Sequence, residues 1–470
     1  MLRCDREGDT VTNATLDPVD EVLPAPRLAA LGLQHVLVMY AGAVAVPLII
    51  GGALKMSREE IAFLISADLF CCGLVTLIQC VGIWNIGIRM PVMMGVAFTA
   101  IAPIIATGSN PQLGVSAVFG AVIGSGIFTY FAAPYMSRLV RWFPPVVTGT
   151  VVLLIGVSLM KVGINWAAGG QPMLFSASGP VPNPEYGAPI NLALAGTVLL
   201  AILLMTAYFK GFLANVAVLL GLVIGFVIAM VLGRVHLAGL GDADWVRIVL
   251  PFQFGLPTFD LMSIVTLSLV MVVMMIESTG LFLALADMSG RRLSQIDLAR
   301  GLRADGIGNI IGGVFGTFTY TSYSQNVGLV QITGVRSRWV VAVAGAILIV
   351  LGCLPKLSVL VASIPNPVLG GAAIVMFGMV AATGVKILAK VDFAADRRNL
   401  YIVAVGLGVG MIPLVADRFF LQLPPLATRF FQNGILLGTL TAVLLNLLFS
   451  VRHPPLLAAP AAGHGVPEPH

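Results

Sequence analysis

Charged residues are scarce in this 470-residue chain, at 10% of the total, whereas 58% of the residues are hydrophobic. Soluble domains carry about 25% charged residues, so this composition excludes an ordinary water-soluble protein. Cysteine is also rare, and the five cysteines have no metal-ligand spacing. The five histidines are scattered, and neither a nucleophile–base pair nor a phosphate-binding loop is present. The sequence therefore predicts no enzyme activity, no metal, no cofactor and no nucleic-acid partner.

Long apolar runs replace these missing features. Many are long enough for the roughly 20 residues that a spanning helix needs. The 52 glycines and 28 prolines are typical of closely packed and interrupted membrane helices. The predicted fold class is an all-α polytopic membrane protein with fourteen spans. These spans begin near Leu28, Ile61, Ile88, Leu113, Pro144, Pro189, Leu213, Leu261, Arg300, Ser322, Trp339, Pro367, Leu400 and Asn433.

Two of the fourteen spans differ from the others. The third (Pro91–Ile105) and the tenth (Ser322–Thr333) are short and rich in small or polar residues. Each is third in its set of seven, and interrupted spans at matching positions indicate an internal repeat. Because seven is odd, the second set enters the membrane from the opposite side, so the repeat is inverted. Because no direct identity between the halves is evident, the repeat is inferred from span length and polarity alone. In such folds the broken helices meet near the middle of the membrane and build the substrate site.

The distribution of Lys and Arg predicts the orientation. With a cytoplasmic N-terminus and fourteen spans, most of the basic residues fall in cytoplasmic segments, as the positive-inside rule requires. Residues 1–26 are polar and acidic, and residues 453–470 are rich in Pro, Ala and Gly. Both are predicted to be disordered cytoplasmic tails. The expected location is a bacterial inner membrane.

Four ionisable residues lie where lipid is expected. Glu277 follows an apolar stretch without a nearby partner, so it either serves a site or pairs with another helix. Asp305, near the cytoplasmic end of its span, is either functional or a helix cap. Asp68 is either a polar helix contact or functional. His35 is either structural or a proton carrier, since the reference pKa of histidine is near neutrality.

The tenth span concentrates polar side chains. Gln325 and Asn326 each carry an amide, which both donates and accepts hydrogen bonds and suits a ring edge that shows N–H beside C=O. Gly328 allows a backbone or a ligand to approach closely. The alternative is that these side chains only bond neighbouring helices.

These residues also form a known pattern. The stretch from Gln325 through Gly328 to Thr333 and Gly334 resembles the signature of the nucleobase–ascorbate transporter family. Further matches are Gln-His35 in the first span, Ile-Glu277-Ser-Thr-Gly in the eighth and Ala-Asp305-Gly in the ninth. The resemblance covers residues 28–447 and is greatest to the bacterial uric acid and xanthine permeases of the family.

The resemblance implies a division into a core domain and a gate domain. The core would comprise residues 27–142 (spans one to four) and 259–366 (spans eight to eleven). The gate would comprise residues 143–258 (spans five to seven) and 367–452 (spans twelve to fourteen). Short strands would lie in broken spans three and ten, and a homodimer would form through the gate.

The resemblance also implies roles for individual residues. Glu277 would hydrogen-bond a purine and sit near the coupling proton, and Gln325 would make a bidentate contact. The backbones of Phe98 and Ser324 would complete the cradle, with the Phe98 ring packed on the purine. Asn326 would hold the shape of the site, and Asp305 and His35 would support proton coupling.

The expected function is proton-coupled uptake of uric acid, xanthine or both. The alternatives are an anion exchanger or channel of the same fold and a uracil-type pyrimidine symporter. Ala97 stands where the family pattern suggests a small polar residue that helps choose between the two purines, and Thr99 is a candidate to compensate.

Overall fold

The computed structural model describes residues 17–452 apart from 137–143, 177–178, 236, 238–239, 417, 425–426, 429–430 and 433. The predicted tail 453–470 and residues 1–16 lie outside the described residues. Two compact units are present, one formed by Met1–Met136 with Val162–Met376 and the other by Ser137–Lys161 with Phe377–His470. The core and gate domains expected from the sequence have other boundaries and stay a prediction.

Helices dominate the described chain. The α-helices are Ala25–Ala53, Arg58–Val81, Ile101–Gly108, Gly114–Ala132, Pro145–Ala167, Pro189–Tyr208, Phe212–Asn215, Ala217–Val231, Leu261–Ser289, Gln295–Val314, Ser324–Thr333, Arg338–Gly352, Pro355–Ala362, Asn366–Leu388, Arg398–Val415 and Gly434–Arg452. Within the described residues, eight helices are long and apolar enough to cross a membrane, or nine if the bent pair Arg338–Gly352 and Pro355–Ala362 is one span. The prediction of a polytopic, largely helical protein is confirmed.

The segment just before the first helix differs from the prediction of a disordered tail. Val19 is buried, and its carbonyl accepts a hydrogen bond from the Arg338 backbone N–H. The Asp20 carboxylate lies 2.6 Å from the Arg338 guanidinium. The Glu21 carbonyl accepts a hydrogen bond from Ser337 at 2.5 Å. Residues 17–26 are therefore ordered, because their acidic and backbone groups pair with a basic turn that is distant in sequence.

The described part of the chain contains four short strands in two antiparallel pairs. Strands β2 (Met173–Ser176) and β3 (Gly179–Pro182) form a pair that the sequence did not predict. Strands β1 (Met94–Val96) and β4 (Tyr320–Ser322) join the two halves of the chain, with Gly95 opposite Thr321. We refer to the β1–β4 pair as the crossover.

Two helices share the features that the expected internal repeat would produce. Helices Arg58–Val81 and Gln295–Val314 each begin after a serine N-cap that forms a capping box, from Ser57 with Glu60 and from Ser294 with Asp297. When the two serines are aligned, three further pairs of identical residues coincide: Ala62 with Ala299, Ala67 with Ala304, and Asp68 with Asp305. This similarity is not evident in the sequence alone, because most neighbouring positions differ.

Glycine allows the helices of the larger unit to pack closely. A Cβ added at Gly126 would lie 2.6 Å from the Gly306 carbonyl oxygen, so the backbones of their two helices touch at this point. Gly73 and Gly345 make a similar approach between helices Arg58–Val81 and Arg338–Gly352. Such contacts between small residues are the usual way in which membrane helices associate.

The smaller unit uses the same principle. Helices Arg398–Val415 and Gly434–Arg452 lie against each other. Gly406 and Gly410 of one helix face Gly438 of the other at backbone distance.

Candidate functional site

The crossover positions two helix N-termini. Strand β1 leads into the 3-10 turn Phe98–Ala100 and helix Ile101–Gly108, and β4 leads into helix Ser324–Thr333. Because the strands are antiparallel, these helices begin at opposite ends of the pair. Helix N-termini carry partial positive charge and unpaired backbone N–H groups, which suit polar ligands.

A third helix joins this arrangement. Helix Leu261–Ser289 contacts the Phe98–Ala100 turn, β4 and helix Ser324–Thr333. It carries Glu277, which is half-buried. Among the described residues Glu277 has no hydrogen bond or ion pair, so this carboxyl is available to a ligand. The helix that carries this carboxyl therefore contacts both elements that begin at the crossover.

The predicted binding residues around Glu277 differ in exposure. Ser324 and Gln325 are exposed, and the Ser324 hydroxyl lies 3.3 Å from Gln325 Oε1. Phe98 is half-buried. It is more exposed than its neighbours Ala97 and Thr99 and less exposed than Gln325. The side chains of Ser324 and Gln325 are thus open to a ligand in this structure.

Ala97 and Thr99 flank the phenylalanine and are both buried. The Ala97 N–H donates to the Thr319 carbonyl at 2.8 Å, which extends the crossover by one bond. The Thr99 hydroxyl is buried and has no hydrogen-bond partner among the described residues. Ala97 therefore contributes a backbone hydrogen bond to the crossover. Thr99, in the 3-10 turn Phe98–Ala100, has a hydroxyl without a partner among the described residues.

His35 and Asn326 form a buried pair. The Asn326 amide donates to the His35 carbonyl at 3.0 Å and lies 3.1 Å from His35 Nδ1. This pair ties the first helix, Ala25–Ala53, to helix Ser324–Thr333. The geometry gives each of the two residues a buried partner, and the role of Asn326 in the shape of the site stays a prediction.

Asp305 lies beneath the crossover rather than at a helix cap. It is fully buried, and its Oδ2 accepts a hydrogen bond from Ser278 at 2.8 Å. Ser278 follows Glu277 directly and also lies 3.2 Å from the Thr321 hydroxyl of β4. One turn beyond Asp305, Asn309 Oδ1 accepts the Tyr320 backbone N–H at 2.6 Å. The capping alternative for Asp305 is wrong, since this residue lies in the second half of its helix.

Asp68 is a neighbour of the crossover that the binding-site prediction left out. Its carboxyl is fully buried, and Oδ1 accepts the Tyr320 hydroxyl at 2.8 Å. The two residues are 252 positions apart, so no local sequence pattern links them. Its position inside an apolar span already marked Asp68 as either a helix contact or a functional residue, and the Ala-Asp pair that it shares with Asp305 is a second sequence signal.

The arrangement suits noncovalent recognition. Glu277, Gln325 and Thr99 supply a carboxyl, an amide and a hydroxyl, and the helix that carries Glu277 contacts the two elements that carry the other residues. Groups of three or more His, Cys, Asp or Glu side chains that could hold a metal ion are absent from the described part of the chain.

Solved transport proteins share this fold. The chain matches murine Slc26a9, an anion transporter in the inward-facing state, with a TM-score of 0.61 at 12% identity over 96% of this chain and 73% of that one. It matches the transmembrane domain of the cyanobacterial bicarbonate transporter BicA with a TM-score of 0.55 at 18% identity, over 91% of this chain and 99% of that domain. At such identities the likeness shows the fold alone, namely the seven-plus-seven arrangement of these transporters.

Sequence comparison is more specific. The model of a permease family matches residues 26–419. The chain is 53% identical to the uric acid transporter UacT of Escherichia coli, over 92% of this chain and 88% of that protein. It is 45% identical to a xanthine permease of Bacillus subtilis, over 90% of this chain and 94% of that protein. The chain is therefore a multi-pass membrane transporter, not an enzyme, and it belongs to the permease family that its motifs predicted, the nucleobase–ascorbate transporters.

Proposed function

We propose that this chain takes up uric acid, xanthine or both across the bacterial inner membrane together with protons. Its relatives support the substrate class, because three proteins that are similar to it over about nine-tenths of its length are named as uric acid or xanthine transporters or permeases. The residues around Glu277 support the same class, since an amide and a carboxyl together match the alternating N–H and C=O groups of an oxidised purine.

The single observation that carries the proposal is that the Glu277 carboxyl has no hydrogen bond or ion pair among the described residues. A half-buried carboxyl in a membrane helix is costly unless it has a partner or a use. Among the described residues it has no partner, and its helix contacts both helix N-termini of the crossover. A purine N–H would satisfy the carboxyl. A proton on the same group would neutralise it for movement through the membrane.

We assign the fourteen spans as follows. Eight are the long apolar helices, and the bent pair Arg338–Gly352 and Pro355–Ala362 forms the eleventh. The third, seventh and fourteenth are the shorter apolar helices that begin at Phe98, Ala217 and Gly434. The ninth is Gln295–Val314, whose charged residues lower its hydropathy, and the tenth is the ten-residue helix Ser324–Thr333. In this assignment β1 and β4 interrupt spans three and ten, and both termini are cytoplasmic.

Transport would then proceed by alternating access. The core domain, with the crossover and Glu277, would carry the purine and its proton past the gate domain. The gate would also form the homodimer contact. His35 and Asp305 would support proton coupling. His35 is bonded to Asn326 of helix Ser324–Thr333, and Asp305 is bonded to Ser278, the residue next to Glu277.

Uptake measurements test the proposal. Cells that express the chain are given labelled uric acid or xanthine, with and without an uncoupler of the proton gradient, beside cells that express Glu277→Gln. We expect uncoupler-sensitive uptake of at least one purine and loss of accumulation in the variant, because glutamine keeps the size of the side chain but cannot take up a proton.

Two results would overturn parts of the proposal. If neither purine enters and neither binds, the purine assignment is wrong, and uracil and small anions become the next substrates to test. If Glu277→Gln accumulates purine as the wild type does, in an uncoupler-sensitive way, Glu277 is not the coupling group. An anion exchanger is disfavoured because the relatives that are 53% and 45% identical to this chain are named as a uric acid transporter and a xanthine permease.

A further inference from the structure

A polar stripe runs along one face of helix Arg58–Val81. Asp68, Cys72, Thr76 and Cys80 follow one another at intervals of four residues, so their side chains lie on the same side of the helix. All four are buried. Buried polar side chains in a membrane helix need partners, and the partners of this stripe show what the helix supports.

The stripe is bonded to both strands of the crossover. Thr76 Oγ1 accepts the backbone N–H of Met94, in β1, at 3.0 Å. Asp68 Oδ1 accepts the hydroxyl of Tyr320, in β4, at 2.8 Å. One helix therefore fixes two strands that come from opposite halves of the chain.

The second repeat supplies the matching support. Asp305 occupies the position of Asp68 when the two serine-capped helices are aligned. Asp305 bonds Ser278, which in turn contacts Thr321 of β4. Since successive residues of a strand face opposite sides, Tyr320 and Thr321 point away from each other. Two repeat-related carboxyls thus hold β4 from its two faces.

The Asp68 bond is deeply buried. Both Asp68 and Tyr320 have no exposed surface. Besides Asp68, the Tyr320 hydroxyl lies 2.8 Å from Thr317 Oγ1, and Asp68 Oδ2 lies 3.7 Å from the Cys72 thiol. The part of the chain that the structure describes places no cation on Asp68. A hydrogen-bond acceptor, rather than a charge, is what this position supplies to the strand.

We propose that Asp68 is a positioning residue of the purine site. By holding Tyr320 it fixes the three-residue strand β4, and β4 sets where Ser324 and Gln325 begin the next helix. A shift of this strand would displace both side chains from Glu277. The inference rests on the proposed function, since purine binding is its readout, and it assigns Asp68 no contact with the purine.

Purine binding to the purified full-length chain tests the inference. Labelled uric acid and xanthine are titrated against the wild type, Tyr320→Phe, Asp68→Asn and Asp68→Leu. Tyr320→Phe removes the hydroxyl alone and should raise the Kd of the purine about three- to tenfold, because binding must then supply up to the energy of one buried hydrogen bond to hold the strand in place. Asp68→Asn retains an acceptor oxygen and should stay within about twofold of the wild type. Asp68→Leu removes the acceptor and should weaken binding at least as much as Tyr320→Phe does.

Ser66→Ala is the matched control. Ser66 lies on the same helix and is buried, but its hydroxyl bonds Ser358 at 2.8 Å, away from the crossover. This variant loses one buried hydrogen bond of the same kind and should leave the Kd unchanged. A size-exclusion profile of each variant separates weakened binding from misfolding, and Tyr320→Phe decides the matter if Asp68→Leu does not fold.

The outcomes are distinct. If the wild type binds a purine and Tyr320→Phe binds it with the same Kd, the positioning role is overturned and the proposed function remains intact. Equal weakening in Ser66→Ala shows a general packing effect and also overturns it. Intact binding by Asp68→Asn with loss of uncoupler-sensitive accumulation would make Asp68 a proton carrier, contrary to the inference. If the wild type binds neither purine, the proposed function fails first and the inference falls with it.

Discussion

Gln325→Ala isolates the contribution of one side chain to purine affinity. Gln325 is exposed, and its neighbour within hydrogen-bond reach is the hydroxyl of adjacent Ser324 at 3.3 Å. Truncation therefore removes little from the fold. A bidentate amide contact comprises two hydrogen bonds, each worth about 0.5–1.5 kcal/mol net. Their loss of about 1–3 kcal/mol corresponds to a Kd for the purine about 5- to 140-fold higher.

Equilibrium binding of labelled uric acid and xanthine to the purified protein is the assay, with thermal unfolding measured in parallel. Gln331→Ala is the matched control, because Gln331 is an exposed glutamine six residues further along the same helix. We expect an unchanged unfolding temperature in both variants and weaker binding in Gln325→Ala alone. Unchanged affinity in Gln325→Ala, or equal weakening in both, would refute the assigned contact.

Three further substitutions test the surrounding structure. Asn326→Ala removes the buried donor to the His35 carbonyl and should lower the free energy of unfolding by about 1–3 kcal/mol. Denaturation in detergent measures this free energy, and a change below about 0.5 kcal/mol would contradict the prediction. Gly306→Ala should destabilise by a similar amount, because its Cβ would lie 2.7 Å from a backbone nitrogen of the neighbouring helix, whereas Gly196→Ala, with nothing within 4 Å, should be tolerated. Ala97→Ser should change the ratio of uric acid to xanthine uptake with little change in expression, and a constant ratio would remove Ala97 from substrate selection.

Local features of the sequence predicted much of the fold. Apolar length located the long helices, and the two short spans rich in small or polar residues, Pro91–Ile105 and Ser322–Thr333, pointed to the segments that contain or adjoin the strands of the crossover. The paired amides Gln325 and Asn326 identified the polar helix start, and the isolated charge of Glu277 identified the helix that faces it. These signals are readable because each depends on neighbouring residues or on the cost of a polar group in lipid.

What the sequence alone missed depends on distant pairs. The Asp68–Tyr320 bond joins residues 252 positions apart, and the His35–Asn326 pair joins residues 291 apart. The order of residues 17–26 depends likewise on Arg338. Propensity and hydropathy cannot anticipate such contacts, since the partners meet only after the helices have packed. The match between Asp68 and Asp305 was missed for a different reason, because most neighbouring positions of their two helices differ.

The crossover has a consequence for how the protein is made. Met94 and Ser322, which face each other in the strand pair, are 228 residues apart. At about 5–20 residues per second, a ribosome needs about 10–45 s to synthesise the partner strand. During that interval β1 is an unpaired strand edge, and its backbone amides cannot be left in lipid. Membrane insertion of the first half must therefore leave this segment in contact with water or with the insertion machinery until the second half emerges.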